Sequence, residues 1–216
     1  YNLLEACRQA NFDVRRVVIA SSDKAYGHSP TLPYTEDMPL NGRAPYDVSK
    51  SCADLIAQSY HSTYNLPVAV VRCGNIYGGG DLNWSRIVPG TIRSSIRGEQ
   101  IIVRSDGSNI RDYIYVKDAA KAYLRVAECL TDSDIWGETF NISTENPVSV
   151  LDMVHNIQRL MKVTDSEPHI LGQAKHEIND QYLSADKART LLGWKPEFTL
   201  EEGLQETIRW YREFLS

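Results

Sequence analysis

No stretch of this 216-residue sequence stays apolar for the roughly 20 residues a membrane-spanning helix needs. Its first residues, YNLLEACRQA, lack the basic segment followed by an apolar run that marks a secretory leader. Cysteine is sparse. Cys7, Cys52, Cys73 and Cys129 are scattered, with no CxxC pair and no Cys/His cluster, which argues against a zinc site and a disulfide framework. Reduced thiols and a cytoplasmic location are the simplest expectation. There is no basic stripe either, and the net charge is −5, so nucleic acid is not an expected partner. Internal repeats and low-complexity tracts are absent.

What is present is the make-up of a soluble globular protein, 42% hydrophobic and 24% charged. RRVVIASS and PVAVVRCGN are continuous apolar runs that end in small residues, the pattern of strands buried on both faces. QIIVRS and ETFNIS read as further strands. Between them lie helical patterns: NLLEACRQA, residues 47–64, RIVPGTIRSSIRG ending at Gly98, and VKDAAKAYLRVAECL opened by Asp112 or a neighbour. Three more follow, with Ser149, Ser184 and Thr199 as their expected N-caps. In helix 47–64, Ala53, Ile56, Ala57 and Tyr60 are expected to face inward, and Ser51, Asp54, Ser59 and Ser62 outward. Apolar strands alternating with helices predict an α/β fold, a parallel sheet with helices on both faces.

One element of such sheets is missing. No GxGxxG occurs, and the GGGD after the second strand has the wrong spacing for a pyrophosphate-binding turn. The sequence also opens inside a helical pattern. Both features predict the later part of a longer protein, one that does not hold a dinucleotide tightly by itself.

The chemistry is concentrated at the two strand ends, SSDKAYG and RCGNIYGGGD, and in PYDVSK between them. In parallel α/β sheets, ligands bind outside the carboxyl ends of the strands. Ser22, Asp23, Lys24 and Asn75 are therefore expected in one crevice, beside the helix that carries Tyr46 and Lys50. Residues i and i+4 share a helix face. A lysine ammonium near a phenol favours the phenolate, which could then take a proton from an alcohol. YxxxK alone is a weak signal; it gains weight from the two flanking strand ends.

Together these segments resemble the extended short-chain dehydrogenase/reductase family, the NAD-dependent nucleotide-sugar epimerases and dehydratases. The resemblance runs in order from VVIASSDKAYG through PYDVSK, RCGNIYGGGD, RIVPGTI and IRDYIYVKD to LGWKPEFTLEEGLQETIRWY. It implies a catalytic trio of Ser22, Tyr46 and Lys50. Acid pairs after the Ser/Thr mark the 4,6-dehydratases, and here Asp23-Lys24 stands in that place. SSDK, GNIYGGGD, RIVP and HEINDQYLSADKARTLLGW look most like CDP-glucose 4,6-dehydratases.

The resemblance further implies NAD contacts at Ser21, Tyr46, Lys50, Cys73 and Asn75. Asn75, Arg86 and Arg111 would meet a nucleotide-diphosphate sugar, although Arg111 could instead pair with Asp112 or Asp118 on the surface. A Rossmann-like domain over 1–143, with substrate-lobe segments inserted around 78–115, would precede a mainly substrate-binding lobe over 144–216. A homodimer through helix 47–64 is also expected. His176 and Glu177 read as a solvated loop pair, and Trp194 and Trp210 as packing. Two rival functions stand beside the dehydratase: a 4-epimerase of the same family and a non-catalytic nucleotide-sugar-binding fragment.

Overall fold

The structure, a computed structural model, describes residues 1–131, 133–173 and 177–216. Helix α1 (Asn2–Gln9) precedes strand β1 (Val17–Ala20), and a 3-10 turn follows at Asp23–Tyr26. Helix α2 (Pro45–Tyr64) starts with a proline, whose missing N–H costs nothing in a first turn. Strand β2 (Val68–Cys73) leads to β3 (Asn75–Tyr77) and helix α3 (Ile87–Arg97). Short strands β4 (Ile102–Val103), β5 (Ile110–Arg111) and β6 (Tyr113–Tyr115) come before helix α4 (Val116–Cys129). Strand β7 (Thr139–Ile142), β8 (Val148–Ser149) and helix α5 (Val150–Met161) follow. Then come β9 (His169–Ile170), β10 (Asp180–Gln181), α6 (Asp186–Leu192) and α7 (Leu200–Leu215).

The main sheet has the order β1-β2-β7 and is parallel throughout. Strand β2 lies at its centre and is buried at every position. Its period of two sends Ala69, Val71 and Cys73 into a core shared with α4 and α6. Val68 and Val70 go the other way, into a core with α1 and α2. Both faces are covered, which is why the sequence reads as one apolar run. Each fully buried valine there contributes about 1.5–3 kcal/mol. Among the described residues, β1 pairs only with β2, so its other edge is open.

A third core joins α3, α5 and α7 through Ile92, Met153, Ile157, Leu204, Ile208 and Tyr211. Helix α7 lies against the segment after β3. A Cβ on Gly203 would come 2.3 Å from the Tyr77 hydroxyl, so only glycine permits this approach. Tyr211 donates a hydrogen bond to Asp81 O at 2.6 Å, and Trp210 covers Gly79.

Three expectations are corrected. Tyr115, not Asp112, stands at the start of α4. Asp112 is fully buried and accepts from Ser143 and Leu183 N instead. Helix α6 begins after Ala185; the Ser184 hydroxyl does accept from Asp186 N, at 3.3 Å. In α2, Ser51 and Asp54 are buried and Ala53 and Ile56 only half-buried, because the inward stripe is Ser51, Asp54, Ala57 and Tyr60. The apolar-only criterion missed a polar partnership. Asp54 makes a two-pronged ion pair with Arg72 of β2, at 2.8 and 2.9 Å. The third guanidinium nitrogen donates to the Tyr26 hydroxyl at 2.7 Å, and Tyr26 donates to Asn141. The caps expected at Ser149 and Thr199 are present, the latter as a full capping box.

Candidate active site

A cavity of about 690 Å³ opens at the carboxyl ends of β1 and β2. Of the ten residues singled out from the sequence, Ser21, Ser22, Asp23, Lys24, Tyr46, Cys73, Asn75, Arg86 and Arg111 all line it. Lys50 lies behind them. Its ammonium donates to Ala20 O at 3.0 Å and stands 5.8 Å from the centre of the Tyr46 ring. Tyr46 is about half exposed on the first turn of α2.

Local structure explains the convergence. The Ser22 hydroxyl accepts from Lys24 N and so starts the 3-10 turn that carries Asp23 and Lys24. The buried Ser51 hydroxyl donates to Ala25 O at 2.9 Å, tying α2 to that turn. Gly74 lets β2 leave the sheet, since a Cβ there would lie 2.7 Å from Asp112 O.

Electrostatics separates the side chains. Asp23 is 2% exposed, and burial pushes its carboxyl up to about 6. One carboxylate oxygen accepts from the Ser22 hydroxyl at 2.9 Å; the other is buried without a partner among the described residues. Burial lowers the Lys24 ammonium from its ordinary value, with the Asp23 charge opposing. Burial pushes the Cys73 thiol up to about 12, so it contributes size rather than thiolate chemistry.

Arg111 pairs with neither Asp112 nor Asp118. One of its nitrogens donates to Ile110 O and Asn179 O at 2.9 and 2.8 Å, and another reaches Glu177 at 3.4 Å. Glu177 lies in an exposed loop, as expected, and also lines the cavity, while His176 falls outside the described residues. Arg86 is exposed and pairs with Asp81 at 3.1 Å. Trp194 is buried in the core and Trp210, within α7, packs against the third core and Gly79, both as expected.

Sequence reasoning missed Trp84, Arg93, Arg104, Tyr113 and Tyr123, which also line the cavity. Tyr113 adjoins Arg111 in the same motif and could have been found there. Arg93 and Arg104 sit where an arginine reads equally well as a solvated surface residue, so no sequence signal marked them. Among the described residues, no group of three or more His, Cys, Asp or Glu side chains could hold a metal ion.

The sequence profile described as GDP-mannose 4,6 dehydratase matches residues 1–207. The chain belongs to that family. It is one of the nucleotide-sugar 4,6-dehydratase and 4-epimerase groups of the extended short-chain dehydrogenases/reductases. One family relative is the low-salt glycan biosynthesis protein Agl12 of Haloferax volcanii, 35% identical over 97% of this chain and 65% of its own. Among solved structures, the dTDP-glucose 4,6-dehydratase of Bacillus anthracis in complex with NAD superimposes with a TM-score of 0.83 and 32% identity. That match covers 92% of this chain and 62% of the other. The UDP-glucose 4-epimerase of Thermotoga maritima with UDP-glucose gives a TM-score of 0.90 at 27% identity, over 99% of this chain and 68% of the other. The chain thus spans about two thirds of the length of these family members.

Proposed function

We propose that the whole protein is an NAD-dependent nucleotide-sugar 4,6-dehydratase that converts an NDP-glucose to its 4-keto-6-deoxy sugar. The observation that carries this reading is Asp23: a buried carboxyl, held at about 6 beside Ser22 and Lys24, on the cavity wall. A carboxyl lifted from 3.8 toward neutrality is a better match for handing a proton to a leaving hydroxyl than an ordinary one.

The donor set at the strand ends suits the nicotinamide half of NAD. Ser21 and Tyr46 offer hydroxyls, Lys50 an ammonium and Asn75 an amide, over a floor kept low by Cys73 and Gly74. When bound, NAD would accept a hydride from the sugar C4 and return it at C6 after water has left, so that no net oxidant is consumed. The side chains do the rest. Tyr46, with the Lys50 ammonium one turn further along α2, takes the proton of the 4-hydroxyl, and Ser22 hydrogen-bonds the same oxygen. Lys24, half-buried and with its ammonium lowered by desolvation, takes the C5 proton. Asp23 gives its proton to the 6-hydroxyl, which leaves as water. Arg111, Arg86 and Asn75 are assigned to the substrate diphosphate, where guanidinium suits phosphate oxygens.

The nucleotide assigned is cytidine diphosphate, on the likeness of SSDK and HEINDQYLSADKARTLLGW to CDP-glucose dehydratases. The outward faces of α1 and α2 expose Leu3, Val48, Leu55 and Tyr64, and we assign them to a homodimer contact. A whole protein that sediments as a monomer at micromolar concentration refutes that contact. Four free cysteines fit a cytoplasmic setting.

A 4-epimerase is the second reading, favoured by the TM-score of 0.90 to the Thermotoga epimerase. Ser, Tyr and Lys serve both reactions, whereas an acid at 23 is needed only to expel water. Incubating the whole protein with CDP-, UDP-, dTDP- and GDP-glucose separates the two. A 4-keto product that absorbs in alkali is expected, with CDP-glucose preferred. A galacto-configured product without it sinks the dehydratase. Tyr46→Phe keeps the ring and removes the hydroxyl. It should lower turnover on the order of 10²-fold or more while nucleotide-sugar binding persists.

A further inference from the structure

We propose that Arg93 is an additional substrate-binding residue, taking a phosphate oxygen of the nucleotide diphosphate with its guanidinium. The inference rests on the nucleotide-sugar reading and deepens it.

The charges lining the cavity do not balance. Lys24, Arg86, Arg93, Arg104 and Arg111 face only Asp23, Asp81 and Glu177. Arg86 is engaged by Asp81, Arg111 by Glu177, and Lys24 has Asp23 beside it. Arg93 and Arg104 have no carboxylate partner among the described residues. A site with two spare guanidinium groups is prepared for a dianion, which is the charge a sugar-linked diphosphate carries.

Of the two, Arg93 is the one built in place. Its Nε is buried and has no hydrogen-bond partner, a state that buried donors rarely keep without a ligand. Its guanidinium carbon stands 5.1 Å from the centre of the Trp84 ring, within cation–π range. Trp84 packs against Tyr211, 5.8 Å between centres, and Tyr211 is anchored to Asp81 O. The planar fork is therefore held before a ligand arrives, and a held fork suits the paired oxygens of a phosphate. Arg111 is less free: one nitrogen is already spent on two backbone carbonyls. Arg104, exposed just after β4, supplies the second positive charge.

The test is titration calorimetry of the whole, NAD-loaded protein with CDP and UDP, and with cytidine and uridine as phosphate-free controls. Arg93→Gln should weaken both diphosphates by about 10- to 100-fold, as expected for a lost charged hydrogen bond. It should also flatten the salt dependence of binding and leave any nucleoside binding unchanged. Arg93→Lys keeps the charge without the fork and should fall between the two, so the inference stays testable if the Gln variant folds poorly. A wild-type protein that binds neither diphosphate overturns the nucleotide-sugar reading itself. Wild-type binding with Arg93→Gln within twofold overturns only the role of Arg93. Loss confined to one of the two bases overturns it as well, because the guanidinium would then be reading the base.

Discussion

Asp23 and Asp54 are both buried carboxylates, and they are treated in opposite ways. Asp54 has both oxygens on Arg72, and Arg72 passes its remaining donor to Tyr26 and, through it, to Asn141. Asp23 has one oxygen on a serine and the other on nothing among the described residues. Burial with few partners raises the Asp23 carboxyl, whereas the Asp54 oxygens are both occupied by a guanidinium. One acid therefore fastens α2 to the sheet, and the other is kept ready to exchange a proton. Satisfaction of the group, rather than its depth, separates framework from chemistry.

The comparison can be broken by exchanging effects. Asp54→Ala leaves Arg72 buried and unpaired and should cost about 3–5 kcal/mol, read as a large drop in the thermal midpoint. If it melted like the parent and lost only turnover, Asp54 would belong to the chemistry. Asp23→Asn should do the reverse. Turnover falls on the order of 10²-fold, while the fold holds. In a single turnover, reduced cofactor should accumulate, since the step lost is expulsion of water. Failure of the first oxidation would instead remove Asp23 from that role.

A third measurement sharpens the contrast through pH. The Asp23 carboxyl is raised from 3.8 to about 6, so between those values the native protein holds a proton that the unfolded chain has released. Stability contributed by this group therefore falls as pH rises from about 4 to 6, by about 3 kcal/mol at most. Subtracting the pH–stability curve of Asp23→Asn from that of the parent should expose this slope. A flat difference would mean that the carboxyl titrates normally. The smallest effect is expected for Ser51→Ala, which removes the link from α2 to Ala25 O. A loss of about 1 kcal/mol is expected, with turnover reduced more than binding. A change in binding alone would show that Ser51 does not set the distance between Tyr46 and the Asp23–Lys24 turn.

The same contrast explains what could be read in advance. The strand ends and the YxxxK helix were legible because small residues, an apolar run and a four-residue spacing each have one structural meaning. Nine of the ten residues chosen from these segments and from the family resemblance together line a single cavity. The Asp54–Arg72 pair was not legible, because apolar periodicity assigns a charged residue to the surface and its partner lies 18 positions away. Asp112 failed as a cap for the same reason: its partners, Ser143 and Leu183, are distant in sequence. Arg93 and Glu177 took their meaning only from the wall they share.

That wall is finished by the far end of the chain. Tyr211 anchors Asp81 O and flanks Trp84, while Gly203 and Trp210 press α7 onto Tyr77 and Gly79. The carboxyl terminus is thus a buttress for the loop that carries Trp84 and Arg86. Trimming the chain back past Tyr211 would leave that loop unsupported 130 residues upstream.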